Sequence, residues 1–377
     1  MKKITTSLML VAISLGAFAQ ITLPPSGGNQ KASVTQHMGL SHVTINYSSP
    51  DVTGFDGKSR EGKIWGQLVP YGLNNLNFGA STAENPSPWR AGANENTTIE
   101  LSHDMEIEGS PIKAGTYGLH MIVEKDEWTI IFSENYDAWG SYFYNPENDV
   151  LRVKVKPQTA EFNEWLNFSF ENRQLAECKA FLKWEKMKVG FKIAVPNMTE
   201  LYAKQIEEEL KGSKGFNWQA WDNAASYFVS NNLDLNKALY FSDQAINNSF
   251  MGQKNFTTLS TKASVLSAMG KEKEAMEVIE EAINHSSANV FRIHNLGRSY
   301  INSGKKKEAL EIFELNAKRF PKTWPINVGL ARGHSANGNY KKALKYAELA
   351  LKNAPDELNK KSMTAAVEKL KKGEDIN

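Results

Sequence analysis

The 377-residue sequence has a single cysteine, Cys178, so an intrachain disulfide and a cysteine-based zinc ribbon are both excluded. Stability must come from packing. After residue 19 no apolar run approaches the ~20 residues that a membrane-spanning helix needs. The seven histidines contain no H-x-H or H-E-x-x-H spacing, the arrangements that place two imidazoles on one metal. His37 and His42 stand five apart, which puts them on opposite faces of any single strand. Glycine-rich phosphate loops and nucleophile elbows are missing too; Gly79-Ala-Ser81-Thr-Ala83 lacks the second glycine of an elbow. Charge of one sign is also scarce, with 44 Lys+Arg against 42 Asp+Glu. That excludes the dense basic surface that holds nucleic acid through counterion release. From these absences no catalytic residue, metal, cofactor or nucleic-acid partner is expected.

What is present is enough for ordinary cores. Hydrophobic residues make up 41% of the chain and aromatic residues 10%, well above the composition of disordered chains. The length fits two or three domains. Residues 1–19 read as a signal peptide: Lys2 and Lys3, an apolar stretch from Leu8 to Ala17, then Ala17-Phe18-Ala19 before Gln20. The expectation is export in a bacterial envelope, periplasmic or secreted, with no transmembrane segment after cleavage.

Residues 33–195 alternate in short runs, among them Val43–Tyr47, Thr97–Leu101, Trp128–Phe132, Val150–Val155, Leu166–Phe170 and Val189–Val195. Turn residues separate them, as in Ser49-Pro50-Asp51, Glu108-Gly109 and Asn145-Pro146. Many short strands without intervening helices predict an antiparallel β-sandwich or jelly-roll-like domain. Cys178 falls in one such run and is read as a buried, inert thiol.

After Pro196 the period changes to 3.6. Residues 196–215 are read as a linker helix with Thr199 as its N-cap, followed over 216–377 by an all-α solenoid. Gly270, Gly304 and Gly338 are spaced by 34 residues, as are Ala275, Ala309 and Ala343; that period marks stacked helical pairs. With Pro321 and Pro355 closing units, this half resembles the tetratricopeptide family over about 216–357. A degenerate first unit places Ala238 37 residues before Ala275. Residues 358–372 are expected to cap the open end.

The first half carries an ordered motif set: Ser49-Pro50, Gly57-Lys-Ser-Arg60, Ile64-Trp-Gly66 through Pro-Tyr71-Gly72, Trp89-Arg-Ala-Gly92-Ala-Asn94-Glu95, Lys113-Ala-Gly115-Thr-Tyr117-Gly118, Trp139-Gly140 and Asp149-Val-Leu-Arg152. In this it resembles an exported bacterial family known as domain-of-unknown-function family 2911. In the usual pattern of that family Trp-Arg follows Pro-Tyr-Gly almost at once, whereas residues 73–88 intervene here. The resemblance implies export and often a repeat tail, and it brings no activity.

Candidate ligand-binding residues are Arg60, Tyr71, Trp89, Arg90, Asn94 and Glu95, a polar set in loop-like segments. Two guanidinium groups can hold a carboxylate, phosphate or sugar acid; the competing reading is an internal Arg-to-Glu pair that fastens the loop. Trp139 and Tyr142 are the candidates for stacking on carbohydrate, and the other tryptophans of this half are expected mainly in the core. In the helical half, Arg292, Asn295, Arg298, Asn327 and Arg332 are candidates for a peptide groove, because first helices line the groove of the family resembled. The expected function is non-catalytic binding: an adaptor holding a protein or peptide partner through its repeats. The alternative is a small-molecule or carbohydrate-binding protein, with hydrolysis as an open extension, centred on Arg60, Arg90 and Glu95.

Overall fold

The structure, a computed structural model, describes residues 28–377 except Phe55 and Lys322. The expected signal peptide lies outside the described residues. The chain divides into two compact units, Met1–Met198 and Thr199–Asn377.

The first unit contains two antiparallel sheets. The larger runs in the order β1 (Gln30–Met38), β2 (Ser41–Ser49), β3 (Thr98–Leu101), β6 (Gly115–Ile122), β7 (Trp128–Ser133), β8 (Asp149–Val155). The smaller has the order β5 (Ser110–Ile112), β4 (Met105–Ile107), β10 (Glu177–Ala194), β9 (Gln158–Glu171). Alternation places Val43 and Ile45 of β2 and Ile99 and Leu101 of β3 inward, all of them buried. Between the sheets, Tyr47 meets Phe168 at 5.0 Å and Phe132 meets Phe191 at 5.6 Å, both edge to face. The architecture is therefore a β-sandwich.

Two tight turns carry the residues such turns require. Glu108 and Gly109 both have positive φ, 48° and 81°, and join β4 to β5 as a two-residue hairpin loop. Gly39 at φ 56° opens the turn between β1 and β2. That turn corrects the expectation for His37 and His42. The hairpin pairs them directly, with ring centroids 5.5 Å apart, because they lie on two strands and not on one. Among the described residues no third ligating side chain joins them. Cys178 is buried, and burial pushes its thiol up to about 11.

The helical unit starts with α1 (Met198–Lys211), so Thr199 lies inside the helix and does not cap it. Four antiparallel pairs follow: α2 (Trp218–Ser230) with α3 (Leu235–Asn247), α4 (Phe256–Ala268) with α5 (Glu272–Asn284), α6 (Val290–Asn302) with α7 (Lys306–Arg319), and α8 (Trp324–Ala336) with α9 (Tyr340–Lys352). The last helix is α10 (Glu357–Lys371). Ala203 and Leu210 of α1 join the core formed by α2, α3 and α4. Ala238, Ala275, Ala309 and Ala343, all fully buried, let the second helix of each pair lie close to the first. Gly270, Gly304 and Gly338 end first helices at φ 75–79°, a left-handed stop that glycine adopts without strain. In the first pair Asn232, at φ 51°, takes that role. Asparagine tolerates this region, and the substitution explains why the glycine period fades there. α10 ends at Gly373, φ 75°, in the same manner.

Candidate functional site

In the β unit a cavity of about 350 Å³ lies between the loop that joins β2 to β3 and the sheets. Arg60, Trp89, Arg90 and Asn94 all line it. Two candidates are placed elsewhere. Tyr71 packs its ring against Gly66, where φ is 83° and a Cβ would stand 2.6 Å from Tyr71 Cε2. Glu95 turns away, pairing with Lys31 at 2.7 Å and accepting from Ser48 Oγ at 3.2 Å; it borders a separate depression with Lys31 and Ser48. Lys31, first as hydrogen-bond donor, holds its carboxyl below the usual range. Ala91 at φ 55° and Asn94 at φ 58° reverse the backbone on either side of Gly92-Ala93, which is why neighbours in sequence face different cavities. Left-handed Ala91 is strained. The Arg-to-Glu fastening expected from sequence is replaced by other partners. Arg60 pairs with Asp51 Oδ1 at 3.2 Å and donates to the carbonyls of Asp51 and Val52.

Trp89 and Trp184 line the cavity and belong to a cluster of four indoles with Trp65 and Trp128. Trp65 packs against Trp89, Trp128 and Trp184 at 5.0–5.8 Å, and Trp89 stacks on Trp184 at 6.3 Å. Trp184 reaches this cluster because β10 bulges there, the register against β9 shifting between Lys183 and Glu185. Glu185 adopts φ 53° and accepts the Gly62 N–H through Oε1. Sequence reasoning missed Trp184 and also Ser87, which lines the same cavity. The break in alternation at Lys183-Trp184-Glu185 was the available signal for the former; nothing local marked the latter.

The turn after β7 braces the cavity from one side. Arg90 lies over the Tyr142 ring at 5.0 Å and donates to the Asn94 carbonyl. Gly140 leaves it room, since a Cβ there would fall 2.2 Å from the guanidinium carbon. Behind it His120 Nδ1 meets Ser141 Oγ at 3.0 Å, and Tyr144 lies edge-on to His120. Asp149 Oδ2 accepts from Tyr144 OH at 2.6 Å and from Arg152 Nε at 2.7 Å. Burial first, and then Asp149, raise the Tyr144 phenol. Trp139 is 56% exposed and Phe143 50%, so the turn also shows aromatic surface. Trp165 is 42% exposed, against the expectation of a core position.

In the helical unit a second cavity, about 410 Å³, opens on α2, α4 and α6, the first helices of successive pairs. Small hydroxyl side chains surround it, including Ser226, Ser230, Ser260 and Ser264, with Val229 and Phe256 as apolar contacts. Arg292 and Asn295 border it from α6. Arg298 and Arg332 stand at the positions of Ser264 in the 34-residue period. Arg332 is engaged elsewhere, reaching Ile376 O at 3.3 Å and Asn377 Oδ1 at 3.5 Å; Asn327 is outside the cavity lining. Asp222, buried on α2, has its carboxyl raised by burial, while a hydrogen bond from Thr261 of the lining opposes that shift.

His120 and His294 are held near pKa 4, below the usual 6.5, by burial first and by neighbouring arginine charge second. Below pH 6.5 the unfolded chain binds a proton that each folded site refuses. Stability therefore falls as pH drops from 6.5 to about 4, by up to about 3 kcal/mol per histidine. Urea melts at about pH 7 and about pH 4.5 should show this loss in both units; His120→Gln should shrink it in the β unit alone. A pH-independent midpoint would contradict the assignment.

Residues 29–193 match the family model described as protein of unknown function DUF2911, and residues 293–319 match a tetratricopeptide-repeat model. The chain matches no curated protein sequence. Among solved structures it is similar to YrrB, described as a TPR protein with an unusual peptide-binding site, at 17% identity over 45% of this chain and 84% of that one, with a TM-score of 0.28. Another is the C-terminal part of a TPR repeat-containing protein from Cytophaga hutchinsonii, at 15% identity over 45% and 67%, TM-score 0.32. A tetratricopeptide repeat protein from Parabacteroides merdae is 15% identical over 47% and 74%, TM-score 0.30. The chain thus joins an N-terminal DUF2911 domain to C-terminal tetratricopeptide repeats.

Proposed function

We propose that the protein is an exported, non-catalytic adaptor of the bacterial envelope whose repeats hold an acidic segment of a partner protein on the faces of α2, α4 and α6. The observation that carries this reading is the 410 Å³ cavity across those three first helices. Its serine and threonine side chains are short, so a peptide backbone approaches closely. Arg292 and Asn295 supply donors for a carboxylate and for carbonyls. The hydroxyl row supplies acceptors for peptide N–H groups. Recognition of main chain in this way, with a charged anchor, is a recurrent mode of peptide capture. The leader-like residues 1–19 support export, and no helix among the described residues is long and apolar enough to cross a membrane.

Peptide selection tests the proposal. A displayed random library panned on the intact chain should yield sequences rich in Asp and Glu. Panning on Arg292→Glu, an exposed position whose reversal leaves the fold intact, should lose them. Enrichment of the same peptides by both chains would sink the reading.

A further inference from the structure

The β-unit cavity has a chemistry of its own, independent of the repeats. One side is apolar, formed by Leu68, Val69, Leu76, Trp89 and Trp184. Its volume of about 350 Å³ lies at the lower end of small-ligand sites. Three of the side chains that line it lack a full set of partners. Ser87 Oγ and the Trp184 indole nitrogen are both buried and have no hydrogen-bond partner; an indole N–H can only donate. Arg60 is neutralised by Asp51. Arg90 is not: it is half-buried, gives one N–H to a carbonyl and lies over an aromatic ring, and no carboxylate among the described residues comes within ion-pair distance of it. Leaving a guanidinium without a counter-ion and two buried polar groups unpaired is costly. A guest with a carboxylate would pair Arg90, and rotation of the Ser87 side chain would bring its hydroxyl to the same guest.

The wall is fixed before any guest arrives. Asn74 and Ser87 exchange both backbone hydrogen bonds at 2.9 Å, which folds the 73–88 segment back on itself. The tip of this segment is pinned to the turn after β7: Ala80 N–H donates to Tyr142 O at 2.8 Å, and Phe78 packs edge-on to Tyr142 at 5.2 Å. Gly79, at φ 64°, allows that approach, since a Cβ would stand 2.6 Å from Tyr142 O. The segment that interrupts the usual family motif order therefore supplies Asn74, Leu76 and Ser87 to the cavity. Such preorganisation favours a specific small guest.

The geometry points to a binding site for a small organic acid, its carboxylate against Arg90 and its planar or branched apolar body along Trp89, Trp184 and Leu76. Charge alone is insufficient, because the apolar wall is the larger part of the lining. The apolar body alone is also insufficient, because it leaves Arg90 unpaired.

The test uses the full chain and four probes: phenylacetate, hexanoate, phenylacetamide and inorganic phosphate. Tryptophan fluorescence reports binding at the indole cluster, and melting temperature reports stabilisation. The two carboxylates should saturate the signal, and phenylacetamide should bind at least about tenfold more weakly, equivalent to about 1.4 kcal/mol. Phosphate should leave both readouts unchanged. Leu76→Trp fills the cavity and should abolish binding with the fold retained. Ser87→Ala, which adds no bulk, should weaken the acids by about two- to tenfold, the worth of one hydrogen bond. Arg90→Gln should remove the preference for acid over amide. Equal binding of acid and amide, no binding of either acid, or full-strength binding by Ser87→Ala would overturn the assignment.

Discussion

Phe313→Ala is expected to destabilise the helical unit by about 3–5 kcal/mol, the range for removing a buried phenylalanine. The ring is 1% exposed and lies in a slot between α6 and α8 made by three glycines. A Cβ on Gly297 would stand 2.6 Å from it, one on Gly329 also 2.6 Å and one on Gly333 2.9 Å. Glycine inside a helix costs about 1 kcal/mol relative to alanine. Three of them are sustained here because the ring occupies the space their side chains would take. The consequence is a change of sign. Gly297→Ala should destabilise the wild-type chain, because Phe313 must shift, and should stabilise Phe313→Ala, since the nearest atoms a Cβ meets there all belong to that ring. A double-mutant cycle by urea denaturation, followed by helical circular dichroism, measures this coupling. Additive effects would show that ring and glycines are not one packing unit.

Trp184→Ala is the second large expected effect, again about 3–5 kcal/mol. Trp184 is 1% exposed and touches Trp65 and Trp89 of the long loop. Its loss therefore removes core volume and also the surface on which that loop rests. Trp139→Ala is the control. Its ring is 56% exposed, and surface substitutions of this kind stay within about 0.5 kcal/mol. Near-ultraviolet circular dichroism with urea separates the two. A Trp184→Ala chain as stable as the Trp139→Ala chain would show that the indole cluster does not hold the loop.

Much of the fold is legible in the sequence because it rests on periodicity. The alternation of Val43–Tyr47 and the Glu108-Gly109 turn locate strands and a hairpin, and the 34-residue spacing of glycines and alanines locates the helical pairs. Periodicity fails where the backbone departs from it. Trp184 sits at a bulge, so alternation around it does not report which face it occupies. Glu95 follows two left-handed residues, so its neighbour Asn94 reaches the cavity while its own carboxylate does not. His37 and His42 are separated by a turn that reverses the chain, and counting along one strand misplaces them. The site was legible to the extent that it lies in one loop: Arg60, Trp89, Arg90 and Asn94 are brought together, whereas Tyr71 and Glu95 are not. In the repeats, Arg292 and Asn295 share a cavity, but Arg332 binds the C-terminal segment, a contact between distant residues that no local pattern encodes.

The central claim is that the faces of α2, α4 and α6 hold an acidic peptide. The most direct measurement is calorimetric titration of the peptide most enriched in selection, and of its Asp-to-Asn, Glu-to-Gln version, into wild-type, Arg292→Glu and Ser260→Trp chains of verified helicity. One-to-one binding is predicted for wild type, weakened at least about tenfold, about 1.4 kcal/mol, by neutralising the peptide, by reversing Arg292 or by filling the cavity at Ser260. Equal affinity for all three chains would place the peptide elsewhere and contradict the account.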